Sequence, residues 1–105
     1  MNGIKLPITV ERAVRAMCDD YDRRALEIRR AKLSPLVIGH YMVLNAAIDQ
    51  AIAACCEEEI CEEMRRNIGD GKGYDFSNLY FLSAGTYKSR KKACKIAIAQ
   101  ALHLI

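Results

Sequence analysis

The stretch SAGTYKSRKKACKIAIAQAL, residues 83–102, decides how this chain is read. It holds five basic residues and no acidic one. The basic residues crowd its first half, and its second half is almost entirely apolar. Ser83 is a natural N-cap, because a serine oxygen accepts a backbone N–H of the first helical turn. From that cap a helix is expected to about His103. Its buried positions are Tyr87, Cys94, Ile98, Ala101 and Ile105, with Ile96, Ala97 and Leu102 widening the face.

The rest of the chain gives that helix a core to join. The sequence has 105 residues, 51% hydrophobic and 28% charged, which suits one domain with a packed interior. It has only two prolines. Ala, Leu, Ile, Glu, Lys and Arg dominate, and no long alternating β-branched run interrupts them. The expected class is all-α: an N-terminal antiparallel helical hairpin, then a short helix and the basic C-terminal helix. The net charge of +3 is unevenly spread. Residues 1–54 hold 8 basic and 6 acidic residues, residues 55–75 hold 3 and 7, and residues 76–105 hold 5 and none. The local balances are therefore +2, −4 and +5. A basic terminal third beside an acidic middle implies a directed electrostatic surface.

Walking along the chain, Thr9 is a candidate cap for helix one, residues 9–33. Val10, Val14, Met17, Tyr21, Ala25 and Ile28 recur at steps of three and four, a single helical stripe. Ser34-Pro35 is a restart signal, serine capping and proline opening the next helix. Helix two is expected over 35–68, ending at Gly69-Asp70-Gly71. Its stripe is Val37, Tyr41, Leu44, Ile48, Ile52, Cys56, Ile60, Met64 and Ile68. Strict four-residue steps walk around a helix, so the buried face rotates, or the helix bends near residues 54–57. Asn45 and Gln50 are either polar registry devices or surface residues. Residues 75–81 read as one short helix or helical turn. The helix-turn-helix-like part spans 57–105.

Helix, Gly-rich turn, short helix and capped basic helix form the plan of a helix-turn-helix unit. The expected DNA-binding set is Ser83, Ala84, Gly85, Thr86, Lys88, Ser89, Arg90, Lys91, Lys92 and Lys95. The cap leaves backbone N–H groups free for a phosphate. Ala84 and Gly85 permit close approach, and Thr86 and Ser89 offer short hydrogen-bonding side chains. Lys88, Ser89 and the small residues would face bases, while Arg90, Lys91, Lys92 and Lys95 reach phosphates. Tyr87 points into the core.

On these residues, LSAGTYKSRKKACKIAIAQAL resembles the C-terminal helix of sigma-factor region 4, and most closely small phage and prophage transcriptional regulators of the RinA and ArpU type. Ser83, Thr86, Tyr87, Arg90, Lys91 and Ala93 match that pattern, and YMVLNAAIDQAIAAC looks like the helix preceding the module. The resemblance covers residues 37–105. It implies a regulator that binds duplex DNA with its last helix in the major groove; a cytoplasmic setting is expected from the reduced cysteines. It further implies N-terminal helices that dimerise or contact RNA polymerase. The chain departs from the pattern at residues 74–79, which are shorter and more polar than the usual first helix. Gly85 also weakens the start of the last helix by roughly 1 kcal/mol against alanine.

Other classes find little support. The glycine-rich GDGKGYDFSNLYFLS lacks the GxxxxGK[ST] phosphate loop and has no preceding strand. Cys18, Cys55, Cys56, Cys61 and Cys94 follow neither a zinc nor a secreted-scaffold spacing, so they read as reduced, buried thiols. His40 and His103 join no catalytic grouping, so an enzyme is not expected, nor a cofactor or metal. CCEEEICEEMRR reads as a solvated face with i,i+3 and i,i+4 pairs. The uncharged stretch 33–48 is too short and polar for a membrane span, and no membrane partner is expected. The alternative to DNA binding is a helical protein–protein interaction module, an adaptor or inhibitor. The two part over where the acidic run 57–63 points. Shared with Lys88, Arg90 and Lys91, it neutralises the basic helix internally; turned away, it leaves that face free.

Overall fold

The computed structural model describes residues 5–105, and every described element is helical. The helices are α1 (Ile8–Asp19), α2 (Tyr21–Arg30), α3 (Pro35–Ala53), α4 (Glu58–Asp70) and α5 (Ala84–Ala101), with a 3₁₀ turn at Tyr74–Phe76 before α5. The all-α class is as expected from the sequence.

Both long helices anticipated from the sequence are divided. Helix one breaks at Asp20, whose backbone leaves ideal helical geometry (φ −85°, ψ −3°). The break sends α1 against α4 and α2 against α3. Pro7, not Thr9, stands at the N-cap, and Thr9 lies inside the first turn. The helix stops at Arg30 rather than at residue 33 because Ala31 turns left-handed (φ 52°). Ser34 does cap α3, its Oγ accepting the Val37 N–H, and Pro35 opens the helix.

The second division has a geometric reason. A four-residue step overshoots a helical turn by about 40°, so five steps from Ile48 to Ile68 would turn the stripe by about 200°. No single core can meet such a face. The chain breaks at residues 54–57, and Ile48, Ile52, Cys56, Ile60, Met64 and Ile68 are then all buried. They share that core with Val14, Cys18, Tyr87, Cys94, Ile98 and Ala99, so α5 is a wall of the core and not an appendage. Burying a side chain of this size stabilises by about 1.5–3 kcal/mol relative to exposure.

Two devices, one polar and one steric, hold the helices in register. Arg24 is 2% exposed; it donates to the Asn45 Oδ1 (2.8 Å), the Met17 carbonyl (2.6 Å) and the Asp20 carboxylate (3.2 Å). Asn45 donates in turn to the Tyr21 carbonyl at 3.3 Å. Asn45 is therefore the registry residue, and Gln50 is solvent-exposed. The second device is Gly69, where α1 and α4 touch: a Cβ there would lie 2.8 Å from the Asp19 nitrogen. Gly71 (φ +70°) then ends α4, with the Lys72 N–H returning to the Asn67 carbonyl at 3.0 Å in a Schellman-type closure.

The short helix expected over 75–81 reduces to the single 3₁₀ turn. Side chains take over its backbone groups: Ser77 Oγ donates to the Tyr74 carbonyl and accepts the Leu79 N–H, and Asn67 donates to the Ser77 carbonyl. Asn78 sits left-handed (φ 59°). Such local bonds compete with helix propagation.

α3 carries one charged residue, Asp49, and exposes Leu36 (87%), Val43 (67%) and Met42 (54%). It runs five residues past the uncharged stretch read from the sequence. At 19 residues and a mean hydropathy of 1.3 it is long and apolar enough to cross a membrane by length and composition. Its second half, through Asn45, Ile48, Ala51 and Ile52, is built into the core.

Candidate functional site

α5 begins as the sequence indicates. Ser83 Oγ accepts the Thr86 N–H at 3.1 Å and donates to the Thr86 Oγ1 at 2.9 Å. The two hydroxyls therefore satisfy each other, and the cap is doubly tied. Ala84 and Gly85 lie exposed in the first turn, where helix geometry leaves N–H groups without intrahelical partners. Space around Gly85 is open, with nothing within 4 Å of a would-be Cβ. Tyr87 turns inward, 1% exposed, its hydroxyl donating to the Lys72 carbonyl.

Successive residues of α5 then separate onto three strips, because each residue turns the helix by about 100°. The outward strip carries Gly85, Lys88, Ser89 and Lys92, all exposed. One flank carries Arg90, which forms a two-pronged pair with the Glu57 carboxylate, its Nε to Oε2 distance being 3.3 Å. The other flank carries Lys91 and Lys95. Lys91 donates to the Lys72 carbonyl, and Lys95 pairs with Glu11 of α1 at 2.8 Å. The ten residues singled out from the sequence thus occupy one helix but not one face. Arg90 points away from Lys91 and Lys95.

The acidic run meets α5 at one point among the described residues, the Glu57–Arg90 pair. Its other members turn elsewhere: Glu62 pairs with Arg66, and Glu63 accepts from Asn78. Glu58 and Glu62 line a separate groove with Asp22 and Asp49.

Long-range packing adds cations the sequence did not single out. Lys5 joins Lys88, Lys91, Lys92 and Lys95 around a groove of about 320 Å³ between residues 5–11 and α5, with Leu6 and Ile96 also in its lining. Next to it, Arg12 and Arg15 face Lys91 and Lys95 across a second groove of similar size. Arg15 is held in place by the carbonyls of Gly69 and Asp70, both at 3.3 Å. One carboxylate, Glu11, serves both grooves. The hydrogen bond and charge of Lys95 hold the Glu11 carboxyl below its ordinary range. Lys91 is pushed down, first by burial and then by the charges of Lys95 and Arg15. No local spacing marks Lys5, Arg12 or Arg15 as partners of α5; the one sequence signal was the absence of acids over residues 76–105.

Other groups place themselves as follows. Phe76, Tyr80 and Phe81 are exposed in the segment leading into α5. All five cysteines are free; Cys56 and Cys94 are buried with their sulfurs 3.3 Å apart. Their contact lowers Cys56 and raises Cys94. His40 and His103 are both exposed. Among the described residues no group of three or more His, Cys, Asp or Glu side chains could hold a metal ion. The chain matches no protein-family model, no curated protein and no solved structure.

Proposed function

We propose that this chain is a small DNA-binding transcriptional regulator, of the phage or prophage type its C-terminal helix resembles, which presents α5 to the duplex. The observation that carries this reading is the outward strip of α5. Gly85, Lys88, Ser89 and Lys92 project from a doubly capped helix start that contains no acidic residue. A helix N-terminus with exposed N–H groups, two lysines and a small residue suits close approach to a phosphate backbone and groove. Lys88 and Lys92 supply contacts in this reading, joined by Lys91 and Lys95 from the adjoining flank. Arg90 braces the helix against Glu57.

The test is binding to random-sequence duplex at several salt concentrations. With about four phosphate contacts, log affinity should fall against log salt with a slope of about −3.6, and Lys88→Ala/Lys92→Ala should flatten it by about 1.8. Absence of binding at low salt, or a slope untouched by the double substitution, rejects the reading.

A second reading, a helical protein-interaction module, is favoured by α3. Leu36, Met42 and Val43 stand exposed on a helix whose single charge is Asp49. Within the regulator reading, this is where a second copy or RNA polymerase would dock. In the alternative, it is the whole function. Concentration-dependent sedimentation of the wild type against Leu36→Gln/Val43→Gln separates the two, since loss of association with duplex binding intact leaves α3 as an accessory surface.

A further inference from the structure

The cations on the α1 side of α5 are packed more closely than a solvated surface requires. Lys91 is half-buried, yet Lys95 and Arg15 stand near enough to disfavour its charge. Lys5 lines the first of the two grooves and Arg12 the second. Against these five cations stands Glu11, whose Oε1 accepts from Lys95 at 2.8 Å. Its charge also interacts with Lys91 and Lys5. Like charges held together in a half-buried place repel with little screening, and an anion relieves that repulsion. Among the described residues the lining of the two grooves holds one carboxylate, Glu11, and it is tied to one lysine.

We propose that the cleft between residues 5–15 and α5 is a binding site for phosphate groups, and that the Glu11 carboxylate holds the lysines in place until a phosphate oxygen displaces it. The inference deepens the duplex reading and takes its preferred ligand, a phosphodiester backbone, from that reading. Free polyphosphate offers the same chemistry. The lining suits this ligand class. Lysine ammoniums are compact point charges that meet phosphate oxygens from several directions. The paired grooves, each about 320 Å³, share Lys91, Lys95 and Glu11, so neighbouring phosphates can be held side by side. Leu6 and Ile96 supply an apolar floor that reduces solvent screening around the charges. Backbone contacts of this kind position a strand and carry no sequence information. Specificity then rests with the outward strip of α5, and grip with the cleft.

The experiment uses the full chain and two probes, inorganic tripolyphosphate and a random-sequence duplex, each followed by calorimetry and by amide chemical shifts. Tripolyphosphate should shift amides of residues 5–15 and 88–96. Glu11→Gln should tighten it by about two- to five-fold, the range expected for removing one surface carboxylate. Lys5→Ala/Lys95→Ala should weaken it and flatten the duplex salt slope by about 1.8. Should Lys95→Ala impair folding, Lys5→Ala/Arg12→Ala, both in exposed positions, replaces it. Tripolyphosphate affinity indifferent to Glu11→Gln and to the lysine substitutions overturns the site. A duplex slope that responds to Lys88→Ala/Lys92→Ala but not to Lys5→Ala/Lys95→Ala also overturns it, while leaving the duplex reading in place. Tripolyphosphate seated in the cleft with no duplex binding upholds the phosphate site and removes the duplex reading.

Discussion

Two grooves on this molecule are close to chemical opposites. Among the described residues the groove between α5 and residues 5–11 is lined by five lysines and one carboxylate, Glu11. The groove among α2, α3 and α4 is lined by Asp22, Asp49, Glu58 and Glu62, with one arginine, Arg65. Arg65 is itself spent: it stacks 3.8 Å over the Tyr21 ring and pairs with Asp22 at 3.3 Å. A chain with a net charge of only +3 thus separates its charges onto different faces. Net charge therefore understates the field a polyanion would meet. Under the proposed duplex reading, the basic face would attract it and the acidic face turn it away, which would orient the encounter. The acidic run that might have neutralised α5 reaches it through Glu57 alone among the described residues, and on the flank away from Lys91 and Lys95.

The comparison can be broken most forcefully at Gly69. α1 forms a wall of the basic groove and takes no part in lining the acidic one. A Cβ at position 69 would meet the Asp19 backbone at 2.8–2.9 Å, so Gly69→Ala must lift α1 from α4. A loss of about 1–3 kcal/mol is expected, the range for overpacking a tight contact, read by urea denaturation. Amide shifts should spread through the basic groove and spare the acidic one. A variant as stable as the wild type would show that α1 is not seated this closely.

A smaller effect of opposite sign is expected at Gly85. Its surroundings are open, so Gly85→Ala should gain up to about 1 kcal/mol from helix propensity alone. The same methyl sits on the outward strip of α5. Greater stability with weaker duplex binding would sharpen the contrast by placing the contact surface at that turn. Greater stability with unchanged binding would move the contact towards the lysine flank.

The smallest effect concerns acid. Glu11 is held low by Lys95, and Asp20 by Arg23. A carboxyl depressed in the folded state contributes stability that is present above its ordinary pKa and is lost as pH falls through the lowered value. The wild type should therefore lose stability below about pH 4.5, the ordinary value for Glu11, and Glu11→Gln should lose less over that window. Exposed pairs of this kind contribute under about 1 kcal/mol, so the comparison belongs in denaturation curves at closely spaced pH values. Identical acid profiles would mean that the Glu11–Lys95 pair carries no net stability.

Much of the fold was legible because its signals are local. Ser34 and Ser83 announced α3 and α5, and both cap through their side chains. The stripe from Ile48 to Ile68 named core residues correctly and, in its strict four-residue step, contained the reason for a break. Other features were hidden. Arg24 reads as one more surface arginine, yet it is buried because Asn45, Asp20 and the Met17 carbonyl together satisfy its donors. Residues 75–81 look like a helix until Ser77 and Asn67 draw off the backbone groups.

Local signals along the chain are enough to establish that it is helical, where α5 starts, and that Tyr87, Cys94 and Ile98 face inward. Capping and 3.6-residue periodicity depend only on near neighbours. Which cations stand together follows from the packing of the helices. Lys95 meets Glu11 across 84 residues of chain, and Arg90 meets Glu57 across 33. Such pairings depend on how helices pack and on where two long ones break. The physical reason is that a charge is indifferent to sequence distance and responds only to separation in space.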